Sequence, residues 1–210
     1  MRSVTDPPSP PRPSASSGGP PPDDRPAWRQ QTRGEQRWEV SIAVAAMILL
    51  QLRLPGDLTP IGRRTLPAIE LVIVVVLIAA NPFRIERTSP VLRGLSLGLI
   101  AVASLANALA VVLLVDDLIS GTSADDPAPL LASGANIWIT NVIIFGLWYW
   151  EFDRGGPAAR AAGTHQSPDF LFPQMADQTA TFRDWEPRFS DYAYVSFTNA
   201  TAFSPTDTMP

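Results

Sequence analysis

The sequence predicts an all-α protein, a polytopic helical membrane protein of about four transmembrane helices followed by a C-terminal re-entrant or half helix. Three observations carry that expectation: apolar residues are bunched into runs without charge, short polar loops separate the runs, and arginine is shared unequally between alternate loops. Gly94 to Val115 and Leu130 to Trp150 contain no ionisable residue. Each supplies the roughly 20 residues with which a helix rising about 1.5 Å per residue crosses a hydrocarbon core of about 30 Å. The mean hydropathy of +0.08 averages these runs with long polar regions and hides them.

Taken in order, residues 1–37 hold nine prolines with Ser and Gly between them. Such a composition buries too little to offset the entropy of ordering, which predicts a disordered tail. It is not a cleavable signal peptide, because the first apolar run follows nearly forty polar residues. Within it, Pro7 to Arg12 (PPSPPR) fits both a polyproline ligand, P-x-x-P-x-R, and a plain solvated tail. A four-helix region then spans 38–150, with helices over about 38–54, 65–82, 93–115 and 130–150. The first is flanked by Trp38 and Arg53 as interfacial anchors, and the second carries Glu70 as its one ionisable group. The third opens on Gly94 and Gly98, a G-x-x-x-G that suits close helix contact. The fourth ends in WYWEFDRGGP: Trp148, Tyr149 and Trp150 as an aromatic belt, Glu151, Asp153 and Arg154 in the headgroup layer, and Gly155, Gly156 and Pro157 as the stop. Residues 151–190 carry Phe170, Phe172, Phe182, Trp185 and Phe189, and are expected to pack against the helix ends or lie in the interface. Residues 191–210 read as a short helix and a turn, with Pro205 and Pro210 breaking any continuous helix.

Arginine sets the orientation. The tail, the second loop and the segment after the fourth helix hold thirteen of the 16 basic residues, and the other side holds three. The positive-inside rule therefore puts the N-terminus in the cytoplasm of a cell membrane. The third loop, 116–129, agrees, with four Asp and no Arg. All 16 basic residues are Arg, which points to a GC-rich bacterial genome. The absence of cysteine excludes disulfides and thiolate chemistry, and a net charge of −4 without a basic face argues against nucleic acid. His165 lies alone in a polar loop, and no triad, metal spacing or phosphate-binding glycine pattern occurs. The expectation is therefore no enzyme, no cofactor and no metal, with the lipid bilayer and a homo-oligomer as partners.

Intramembrane polar groups are the natural candidates for function, because each costs free energy unless paired. Glu70 reads either as a helix-start carboxylate near the interface, within reach of Arg63 or Arg64, or as a proton or cation site. Asn107, Asn136, Thr140 and Asn141 read as hydrogen-bonding glue between helices.

The terminal stretch YVSFTNATAFSPTDTMP resembles the pore loop of potassium channels, a short helix followed by a selectivity filter and a proline. Ser196, Thr201, Asp207 and Pro210 match that pattern, whereas the filter glycines fall on Ser204 and Thr206 and its tyrosine on Pro205. The stretch is also similar to the C-terminal motif F-T-x-x-x-x-F-x-x-[ST]-D-T of bacterial, actinobacterial-type, multi-pass inner-membrane proteins of domain-of-unknown-function families. Phe197, Thr198, Phe203, Thr206, Asp207 and Thr208 fit it, and YWEFDRGGP with DFLFPQM fits the same branch. That resemblance implies a further transmembrane helix after the motif, so the chain is expected to be truncated at Pro210. It also implies two readings: a channel-like or transport protein with Thr198, Thr201, Ser204, Thr206 and Asp207 along a polar path, or a non-transporting membrane scaffold in which the same residues turn the chain.

Overall fold

The computed structural model describes residues 25–59, 62–85, 89–121, 127–164, 167–176 and 184–202. Its α-helices are α1 (Trp38–Arg53), α2 (Thr65–Ala80), α3 (Pro90–Ser120), α4 (Pro127–Phe152), α5 (Pro157–Ala162), α6 (Pro173–Ala176) and α7 (Phe189–Ala200). Among the described residues there is no strand, only isolated bridge positions such as the antiparallel Gln36–Arg84 pair, so the chain is all-α.

Local chemistry explains the boundaries. α3 starts on Pro90, whose missing N–H is harmless in the first turn, and stops at Gly121, which adopts φ 69° as a left-handed cap. It therefore outruns the charge-free stretch at both ends, since Asp116 and Asp117 do not stop a helix. α4 ends in a 3₁₀ turn, Asp153–Gly155, after which Gly156 at φ 97° redirects the chain into α5. A side chain on Gly156 would also come within 3.1 Å of the Glu151 carbonyl oxygen.

The four long helices run up and down. The Gln36–Arg84 bridge, with Ile85 N–H donating to Glu35 O, ties the start of α1 to the end of α2. Ser96 Oγ donates to Glu151 Oε2, joining the start of α3 to the end of α4. We call this the basal end. At the other, distal end the Asn136 amide reaches Leu50 O, so the first half of α4 meets the last turns of α1. α7 starts at the basal end and runs antiparallel to α4, its main packing partner. Gly146 permits that approach, because a Cβ there would lie 3.1 Å from Ala193 Cα. Farther along, Ser196 Oγ donates to Val142 O at 2.7 Å and Phe197 meets Trp138 edge-on at 5.9 Å.

Burial is lopsided. A large cluster including Met47, Ile100, Ile144, Leu147, Phe172 and Tyr192 fills the basal two-thirds, and a small one of Leu54, Leu58, Ala110 and Ile137 closes the distal end. The outward faces stay apolar: Ile42, Leu49, Val72, Leu105, Val112 and Leu131 are each 60 % exposed or more. α3 and α4, the latter with its continuation to Ala162, are long and apolar enough to cross a membrane, and only 28 % and 33 % of their most apolar stretches is buried. A core helix of a soluble protein would be mostly buried, so these proportions weakly favour a membrane protein.

Candidate functional site in the bundle core

Two polar assemblies lie inside the molecule, one at each end. At the basal end the turn after α4 is knitted to the N-terminal segment. The Arg160 guanidinium donates to Glu35 Oε1 from Nε at 2.9 Å and from Nη2 at 2.6 Å, a two-pronged pairing. Its Nη1 reaches Trp150 O and Asp153 O, and its plane lies over the Trp150 and Tyr192 rings. Burial alone would lower the Arg160 pKa, but Glu35, Tyr192 and Asp153 more than offset this and hold it above its ordinary value.

Asp153, with no exposed surface, accepts from Tyr192 Oη at 2.6 Å, Asp169 N–H at 2.9 Å and Arg154 Nε at 3.2 Å. Arg154 Nη1 in turn reaches Trp28 O at 2.6 Å. Arg154 occupies the left-handed region at φ 51°, a costly conformation for a residue with a side chain, which the surrounding hydrogen bonds hold in place. Glu151, Asp153 and Arg154, expected at the level of the headgroups, are all buried in protein, at 3 %, 0 % and 4 % exposure. The reason is that residues 25–37, 167–176 and 184–192 fold over the end of α4, where Trp28, Asp169 and Tyr192, with Ser96 of α3, supply the hydrogen-bond partners. Phe172, Trp185 and Phe189 pack in the same layer against Tyr192 and Trp150.

The second assembly lies toward the distal end. Glu70 is wholly buried and accepts one hydrogen bond, from Gln51 Nε2 to Oε1 at 3.1 Å. Among the described residues Glu70 Oε2 and Gln51 Oε1 have no hydrogen-bond partner. Arg63 instead donates to Leu52 O, so the reading of Glu70 as an interfacial carboxylate held by Arg63 does not hold. Glu70 is in the second turn of α2, and the twist of the helix carries it inward, toward α1, while Arg63 and Arg64 stay exposed. Gln51 also lines a small cavity of about 30 Å³ with Asn107, Thr140, Thr59 and Arg63. That space suffices for about one water molecule. Asn107 and Asn141 face each other at 3.5 Å across α3 and α4.

The terminal polar path is not assembled among the described residues. Thr198 Oγ1 donates to Val195 O and Thr201 Oγ1 to Phe197 O, so both hydroxyls are satisfied within α7. Ser204, Thr206 and Asp207 lie outside the described residues, as do His165 and Pro7 to Arg12. Sequence reasoning overlooked Gln51 as the partner of Glu70; the available signal was that it is the only carboxamide in the run Val40 to Leu52. Among the described residues no group of three or more His, Cys, Asp or Glu is placed to hold a metal ion. Comparison with known proteins finds no matching family model, no matching curated protein and no matching solved structure.

Proposed function

We propose that the chain is a multi-pass membrane protein in which α1 to α4 all cross the bilayer with the basal end in the cytoplasm, and that Glu70 is a proton or monovalent-cation site of a transport-related protein. α1 and α2 have 16 residues each. At about 1.5 Å per residue they reach about 24 Å, a mismatch that local thinning and interfacial anchors absorb at a fraction of a kcal/mol per Å. The exposed apolar faces of α1 and α2 support their lying in lipid beside α3 and α4, and the arginine distribution supports the orientation.

The observation that carries the functional reading is the buried Glu70 Oε2, which has no hydrogen-bond partner among the described residues, in the same pair as the Gln51 Oε1 that likewise has none. An ionised carboxylate with a single amide donor is costly in such surroundings, and an arriving proton or cation relieves that cost. Gln51, the donor to Glu70, also lines the small distal cavity with Thr59 and Arg63, which puts a space for about one water next to the pair. The test is a flux assay on the full chain in liposomes under imposed proton, sodium and potassium gradients. Flux is expected for the intact protein and lost in Glu70→Gln; intact, folded protein without flux under any gradient overturns the reading.

One observation favours the second reading, a non-transporting scaffold. The α7 hydroxyls are consumed by their own helix and Ser196 anchors α7 to α4, as a strut would be. That reading expects Ser196→Val to lower the melting temperature of a protein that carries no flux.

A further inference from the structure

A second, larger cavity of about 330 Å³ opens at the basal end between α1, α2, α3 and α4. It is separate from the Glu70 site and borders the ionic network, sharing Trp150 and Glu151 with it. Small-molecule pockets begin at roughly 300 Å³, so its size is that of a ligand site rather than a packing defect. Its floor is apolar and buried, formed by Val44, Leu77, Leu99, Ile100 and Leu147. Its rim is cationic: Arg93 is exposed on the first turn of α3, and Arg37 is half-buried at the start of α1.

Arg37 is incompletely used. Its Nη1 makes one long contact, 3.5 Å, to Asn81 O, and its Nε is buried without a hydrogen-bond partner. Glu151 lines the same cavity, with Oε2 taken by Ser96, so among the described residues the lining holds two cations and one anion. An apolar floor under a rim of net positive charge is complementary to one kind of molecule, an alkyl chain ending in a singly charged anionic head. The headgroup's hydroxyl or other donor would face Glu151.

We propose that this cavity binds an anionic amphiphile, a membrane phospholipid with a phosphate head against Arg37 and Arg93 and an acyl chain over Val44, Leu77 and Leu147. Binding there is independent of whether the chain carries flux. The experiment is native mass spectrometry of the full chain titrated with phosphatidylglycerol, phosphatidylcholine and inorganic phosphate. Phosphatidylglycerol is expected to bind in preference to phosphatidylcholine. With each interfacial arginine worth about 1 kcal/mol, Arg93→Gln should weaken binding about fivefold and the Arg37→Gln/Arg93→Gln pair about thirtyfold. Val44→Phe, which fills the floor and leaves both arginines, should also weaken it. Arg53→Gln, at the exposed distal end, should leave it unchanged.

Equal binding of the two lipids overturns the proposal, and so does an Arg53→Gln loss as large as that of Arg93→Gln. Inorganic phosphate that displaces phosphatidylglycerol at equal affinity shows an anion site without a tail, and overturns it too. Arg93 is exposed, so its variant tests the site even if the Arg37 or Val44 variant fails to fold.

Discussion

The two ends of the bundle solve the same problem in opposite ways. At the basal end Asp153, Arg154 and Arg160 are buried beside the partly buried Glu35, each carboxylate facing a guanidinium and each guanidinium also reaching a backbone carbonyl. At the distal end a single carboxylate, Glu70, is as fully buried as Asp153, with one amide donor and one oxygen without a partner among the described residues. Buried charge is tolerable when its lone pairs and protons are satisfied and expensive when they are not. The basal assembly therefore has the character of structure, and the distal one the character of a site that waits for something.

Breaking the basal assembly should have the largest effect. Arg160→Met leaves the Glu35 carboxylate without its guanidinium and the Trp150 and Asp153 carbonyl oxygens without their donor, and is expected to cost about 3–5 kcal/mol of stability, read as a large fall in melting temperature in detergent. A fall no greater than that of Arg53→Gln would erase the contrast between the two ends. Next comes the α4–α7 seam, where Gly146→Leu forces apart two helices in near-backbone contact. About 1–3 kcal/mol should be lost, together with hydrogen-exchange protection of the α7 amides; unchanged protection would mean that α7 is held elsewhere.

The distal site should respond differently. Glu70→Gln removes a charge that only one amide supports, so stability is expected to change by less than about 1 kcal/mol or to rise. A loss as large as that of Arg160→Met would show that Glu70 is structural and sharpen the scaffold reading. The smallest effect concerns Glu186, whose carboxyl burial raises above its ordinary 4.5, against a hydrogen bond from Thr32. A raised acid keeps its proton longer in the folded state, so its contribution is full below pH 4.5 and is lost as pH rises through the raised value. Glu186→Gln should therefore gain stability relative to the parent as pH climbs through that window. A pH-independent difference would break the assignment.

The helices were legible because hydrophobic runs and their breakers are local signals. Pro90 and Gly121 mark the ends of α3, Trp38 and Arg53 bracket α1, and Gly156 with Pro157 ends α4 by backbone chemistry alone. The aromatic residues after α4 were recognisable as too apolar for a free linker. The partners were not. Glu35 and Arg160 are 125 residues apart and Trp28 and Arg154 are 126 apart, and nothing in either neighbourhood names the other. Both lie in polar stretches where solvation is the default, and only a fold that lays one stretch over the other makes them buried.

By itself, then, the sequence determined an all-helical chain, the places where its helices start and stop, and the apolar surfaces two of them offer a membrane, since these follow from propensity, capping and hydropathy within a few turns. The tertiary structure alone decided which polar residues end up inside. It satisfied Asp153 with three donors, left Glu70 with Gln51, and opened a cavity under Arg37 and Arg93. The physical reason is that the fate of a polar group depends on whether its desolvation is met by a partner, and partners distant in sequence meet only when the helices pack.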